Sequence, residues 1–394
     1  MTTVRLVGLL GLIALVTASC GAAAPGRGAA SGSRSDAASP THAASNPAEP
    51  SPCISTPVAR FPASGSSGRN LVIAKLRGSD ATVVRDITNI THASTIATLD
   101  VPFWQNSVFT TLQFVTAAEI SYATPSDGSP NLLIRMPISG GPKTVVAATC
   151  APSWILALSW DSAGQSATYL IDVGSGYPFD WRLQTNGTNR SLASPPAWCY
   201  CGNGSEEGAA SVAFSPTGQF VSMIDGLGHT GSDLQIRRID GSLVAESKGS
   251  MSGVTMGVWS RDAFYFRDSG DVRVWRDGAI TTLRAGLAWL RPKPSPAGGQ
   301  IVFYTRGSDG LAGVSVIDTK TGAVRRLSDQ ARIAPVFLSS RYIWYQGERL
   351  CTAGDQCVFN HTVLTGKTYI YDLTTGSESE SVIADVADVW AHGS

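Results

Sequence analysis

Residues 212–225 read VAFSPTGQFVSMID, and residues 233–244 read DLQIRRIDGSLV. A short β-rich run, Val212–Phe214, stops at Ser215-Pro216-Thr217-Gly218. A second run, Gln219–Ile224, follows, and a third, Leu234–Ile239, stops at Asp240-Gly241. Pro at the second position of a turn presets φ, and Gly permits the positive φ that a tight strand reversal needs. Three short strands joined by turns predict antiparallel β structure.

The unit recurs. Lys293–Ile301 (KPSPAGGQI) with VSVIDTKTGAVRRL (314–327) is a second good copy, and Ser159–Gln165 (SWDSAGQ) is a degraded third. A strand followed by a Gly turn closes at Gly140, Gly176, Gly241, Gly278, Gly322 and Gly376, in steps of 36, 65, 37, 44 and 54 residues. The two long steps contain insertions, Asn186–Gly208 and Glu348–His361. Without them the steps approach the roughly 40–45 residues of a four-stranded propeller blade. No amphipathic helix of ten or more residues stands out from Asn70 onward. A β-sandwich with accidental spacing is the competing fold.

The copies at 212–244 and 293–327 resemble the repeat of TolB-type and WD-repeat-like β-propellers, loosely over residues 70–390. The resemblance implies an all-β β-propeller of antiparallel four-stranded sheets. Residues 70–394 would supply seven blades of about 46 residues each, or six if the unit at 154–185 is an insertion. Val386–Trp390 (VADVW) is expected to close the ring as a strand of the blade that begins near Leu71, protecting an open edge.

Met1–Arg5 is basic, and Leu6–Val16 (LVGLLGLIALV) is apolar but shorter than the roughly 20 residues that span a bilayer. This reads as a signal peptide over 1–19. Thr17-Ala18-Ser19-Cys20 resembles the lipobox of bacterial lipoproteins, which implies acylation at Cys20. Thr17 stands where Leu is usual and Ser19 where Gly or Ala is commoner, so a secreted soluble product is the alternative. Cys20–Pro52 holds ten Ala, six Ser, five Pro and four Gly, with no aromatic residue. It has nothing to offset the entropy of ordering, and residues 20–69 are expected to be a flexible tether. The protein is thus expected outside the cytoplasm, held to the cell membrane by lipid.

Thirty Lys+Arg balance thirty Asp+Glu, so no net field favours nucleic acid. Cys53, Cys150, Cys199, Cys201, Cys351 and Cys357 are an even number, as disulfides outside the cytoplasm require. Gly354-Asp355 provides a turn that would bring Cys351 to Cys357. Cys199 and Cys201 point to opposite sides of an extended chain. They are expected to pair with Cys53 and Cys150, in either order. Zinc is disfavoured, since Cys199-Tyr-Cys201 lacks a two-residue spacer and no His pair has ligand spacing.

The sequence nominates no catalytic residue, metal ligand or cofactor. It contains no Gly-x-Ser-x-Gly nucleophile elbow and no His-Glu-x-x-His. Thr365-Gly366-Lys367-Thr368 resembles a P-loop tail, but β-rich residues follow it instead of a helix. The ten Trp residues are expected between blades, with a carbohydrate groove as the alternative. These observations favour a tethered module that binds envelope protein partners. The alternatives are a propeller-class enzyme (glycosidase, lyase or lactonase) and a glycan or small-ligand sensor, each acting on cell-envelope material. Candidate contacts lie on the two insertions: Trp198, Tyr200, Glu206 and Glu207 on the first, Arg349 and Asp355 on the second.

Overall fold

The computed structural model describes residues 68–103, 111–124, 131–149, 154–172, 179–185, 188–193, 211–224, 233–248, 254–355, 357 and 361–391. They form seven four-stranded antiparallel sheets. Blade 1 contains β1 (Leu71–Lys75), β2 (Ala81–Asp86) and β3 (Ser94–Pro102). Blade 2 contains β4 (Gln113–Thr116), β5 (Glu119–Ala123), β6 (Leu132–Pro137) and β7 (Thr144–Ala148). Blade 3 follows with β8 (Trp154–Trp160), β9 (Ala167–Asp172), β10 (Phe179–Thr185) and β11 (Thr188–Ala193). In blade 4 these are β12 (Ser211–Phe214), β13 (Phe220–Ile224), β14 (Asp233–Arg238) and β15 (Leu243–Lys248). Blade 5 has β16 (Val254–Ser260), β17 (Ala263–Asp268), β18 (Asp271–Arg276) and β19 (Ala279–Arg284). Blade 6 has β20 (Leu290–Pro294), β21 (Gln300–Arg306), β22 (Ala312–Asp318) and β23 (Val324–Arg326). Blade 7 has β24 (Arg332–Phe337), β25 (Tyr342–Leu350), β26 (Thr362–Asp372) and β27 (Ser377–Glu380). The last strand, β28 (Val386–Trp390), pairs with β1 and completes blade 1, as VADVW was expected to do.

The turn chemistry read from the sequence is repeated atom for atom. The N–H of Gly218 donates to the Ser215 carbonyl at 2.8 Å, that of Gly298 to Ser295 at 2.9 Å, and that of Gly164 to Asp161 at 3.0 Å. In each turn the side-chain oxygen at the first position accepts a further backbone N–H, from Phe220, Gln300 or Gln165. Gly164 is required twice over. Its φ is +65°, and a Cβ there would lie 2.7 Å from Thr116 Cγ2 of the preceding blade.

The core lies between blades. Val115, Leu133 and Val146 of blade 2 pack on Ile155, Leu158 and Trp160 of blade 3. Two Trp residues at the ends of first strands bond back to the preceding blade: Trp160 Nε1 donates to Ser121 Oγ at 2.7 Å and Trp259 Nε1 to Ser222 Oγ at 3.0 Å. Trp181, Trp275, Trp289 and Trp344 are also buried. These six indoles serve the core, and Trp390 is half-buried against Phe114.

Three sequence expectations need correction. The unit at 154–185 is no insertion: with 188–193 it builds a full sheet, which excludes six blades. Gly176 falls on the second-to-third connection of its blade, whereas Gly140, Gly241, Gly278, Gly322 and Gly376 fall on third-to-fourth turns. In blade 3, Thr185 of β10 pairs with Thr188 of β11. Residues 188–193 of the expected insertion are therefore a blade strand.

Alternation of strand direction gives the ring two unlike faces. First-to-second and third-to-fourth turns share one face, here the turn face; second-to-third connections and blade-to-blade links share the other, the loop face. β11 ends and β12 begins on the loop face, and so do the end of β25 and the start of β26. β1 begins and β28 ends on the turn face.

Candidate functional site

β25 and β26 have 9 and 11 residues, and their outer halves continue beyond the blade as an arm on the loop face. Within the blade, Gln346 pairs with Thr368. The register then shifts, and Glu348, Arg349 and Leu350 pair with Leu364, Val363 and Thr362. Gly347 sits at the shift, where a Cβ would lie 2.5 Å from Thr365 Oγ1. Glu348 fixes the foot of the arm to blade 6. Its buried carboxylate accepts from Arg306 Nη1 at 2.9 and 3.0 Å and from the Ala312 N–H at 2.9 Å.

The tip is closed in three ways. The Cys351 N–H donates to the His361 carbonyl at 2.7 Å, and Cys351 and Cys357 form a disulfide with 5.9 Å between their Cα atoms. Arg349 meets Asp355 in a fork, Nη1 to Oδ2 at 2.7 Å and Nη2 to Oδ1 at 2.8 Å. Thr352 donates to Asp355 Oδ2 through both its N–H and its Oγ1. Arg349 and these Thr352 donors hold the Asp355 carboxyl well below the usual carboxylate range. Arg349 and Asp355 therefore engage each other and stiffen the tip. Trp198, Tyr200, Glu206 and Glu207 lie outside the described residues, as do Cys20, Cys53, Cys150, Cys199 and Cys201.

At the foot of the arm, between blades 7 and 1, lies a cleft of ≈ 200 Å³. Its walls include Lys75 and Arg77 from the β1–β2 turn, Gln346 and Lys367 from the arm's base, and Asp385 from the link into β28. Lys75 Nζ is 2.7 Å from Asp80, and Lys367 Nζ is 3.2 Å from Glu380. Arg77 Nη2 donates to the Ser381 carbonyl at 2.8 Å. Gln346 Nε2 donates to Asp385 Oδ1 at 2.5 Å. Burial pushes the Asp385 carboxyl up, opposed by that hydrogen bond and by the charge of Lys75. Residues some 290 positions apart meet here because β28 returns to β1. The sequence flagged only Gly366-Lys367-Thr368, as a P-loop-like tail; it is part of β26.

The axial channel is lined by first strands, most of them bulged. Met256, Arg291 and Ala334 take φ of 46°, 45° and 53° at the bulges of β16, β20 and β24. Such conformations re-aim side chains at a local cost in strain. Asp388 of β28 accepts from the Phe114 N–H at 2.8 Å. Enclosure by the ring raises its carboxyl, opposed by the Phe114 N–H and the charge of Lys293, although part of the residue stays open to the channel. Among the described residues no three His, Cys, Asp or Glu side chains gather as a metal site.

No known protein family and no curated protein matches the sequence. Solved structures do match in fold. One of a pair of prolyl endopeptidases aligns over 85% of this chain and 50% of its own, at 15% identity and TM-score 0.53. A functionally unknown protein from Desulfotomaculum acetoxidans aligns over 83% of this chain and 100% of its own, at 11% identity and TM-score 0.50. The fold is a seven-bladed β-propeller. TolB from Acinetobacter baumannii is also similar, at 15% identity and TM-score 0.43, over 81% of this chain and 82% of that one. This chain spans about half the length of the prolyl endopeptidase it matches.

Proposed function

We propose that the chain is an exported, lipid-tethered propeller whose loop face binds a protein partner of the cell envelope. The observation that carries this reading is the opposition of the two faces. The chain enters β1 on the turn face, whereas the disulfide-closed arm leaves from the loop face. The arm therefore projects from the face opposite the entry to β1. An arm ordered in advance by Glu348, the Arg349–Asp355 fork and the disulfide lowers the entropy cost of association.

The test is crosslinking in the native envelope, comparing wild type with a chain in which residues 350–362 are replaced by a two-residue Asn-Gly turn. The proposal expects at least one crosslinked partner to disappear while the shortened protein still folds. Should the shortened protein fold and keep every partner, the reading fails.

A further inference from the structure

We infer that the cleft at the foot of the arm is a receptor for the carboxylates of an acidic peptide segment. The inference rests on the loop-face reading and names the chemistry of the partner. Three cationic side chains, Lys75, Arg77 and Lys367, line the cleft against one carboxylate, Asp385. Asp385 is turned inward to Gln346, which leaves Lys75 and Lys367 facing solvent beside only the exposed carboxylates of Asp80 and Glu380. The present partners of the two lysines yield easily. Asp80 has 95% and Glu380 48% of its side chain exposed. Exposed ion pairs of this kind contribute about 0–1 kcal/mol.

An incoming carboxylate can therefore exchange with Asp80 or Glu380 at little cost, and Arg77 is already oriented by the Ser381 carbonyl. The volume, ≈ 200 Å³, is below the roughly 300–1,000 Å³ of small-molecule pockets. It suits one acidic side chain of a segment lying across the loop face better than an enclosed free ligand. Leu76, Leu350 and Val382 are exposed apolar side chains on this face and provide contacts for the rest of such a segment.

The probe is fluorescein-labelled hexaglutamate, with hexaserine and hexalysine as controls, titrated by anisotropy into the detergent-solubilised full chain at low salt. Hexaglutamate is expected to bind wild type and the Arg77→Lys/Lys367→Arg variant alike. Arg77→Glu/Lys367→Glu, which alters two exposed side chains, is expected to bind about tenfold more weakly or worse. Equal affinity for wild type and the charge-reversed variant overturns the inference, as does tighter binding of hexalysine or no binding of hexaglutamate. This readout is independent of the crosslinked partners. A failed cleft with arm-dependent partners refutes only the inference, and a charge-sensitive cleft with arm-independent partners refutes only the loop-face reading.

Discussion

Glu348→Ala separates the arm from the ring with one side chain. The Glu348 side chain is 1% exposed, and it is the acceptor for Ala312 N–H and Arg306 Nη1. Removing it deprives a buried backbone N–H of its acceptor, at a cost of about 1–3 kcal/mol. Breaking a fully buried ion pair costs about 3–5 kcal/mol. Arg306 is 19% exposed and also donates to the Gly310 carbonyl at 2.7 Å, so its share is smaller than that figure implies. The expected loss is about 3 kcal/mol. Glu348→Gln keeps an oxygen for Ala312 and is expected to lose about 1 kcal/mol. Urea unfolding followed by Trp fluorescence gives the magnitude, and hydrogen exchange over residues 349–365 shows whether the arm loosens. A loss below about 1 kcal/mol for Glu348→Ala, with exchange unchanged, refutes the anchoring role.

The Asp388 carboxyl is raised by burial, so the folded chain holds that proton after the unfolded chain has released it near pH 3.8. Stability from this group is full below that pH and is lost as pH rises through the raised value. Asp388→Asn should therefore raise the urea midpoint at pH 7, with the gain vanishing below about pH 4; a gain independent of pH contradicts the assignment. Cys351→Ser/Cys357→Ser opens only the arm, and its melting temperature should stay within about 2 °C of wild type while protease cleavage of the arm rises. A fall of more than about 5 °C places the bridge in the ring's stability. Palmitate labelling should mark the wild type and be abolished in Cys20→Ala; a wild type that takes up no lipid and appears in the medium removes the anchor.

The first-to-second turns were legible because their chemistry is local: Ser215-Pro216-Thr217-Gly218 declares a reversal without help from the rest of the chain. The outermost strands were not. Ser377–Glu380 is SESE and Val324–Arg326 is VRR, exposed at their blade edges, so they show no apolar alternation. Two innermost strands, β20 and β24, were hidden differently. Pro292, Pro294 and Pro335 argue against strands by propensity, yet these strands are edges facing the channel, where a missing N–H is tolerated. Blade 3 was misread because Thr188–Ala193, counted as insertion, is its outermost strand. The cleft had no local signature. Lys75 and Lys367 become neighbours only through ring closure, whereas Arg349 and Asp355, visible as charges on an insertion, turned out to face each other.

The most direct test of the two-faced propeller places a photo-crosslinking amino acid at Ser79 or Ala353 on the loop face, and at Lys320 or Thr374 on the turn face, in the native envelope. All four positions are exposed. The account predicts protein adducts at Ser79 and Ala353 and none at Lys320 and Thr374. Adducts confined to the turn face would contradict it.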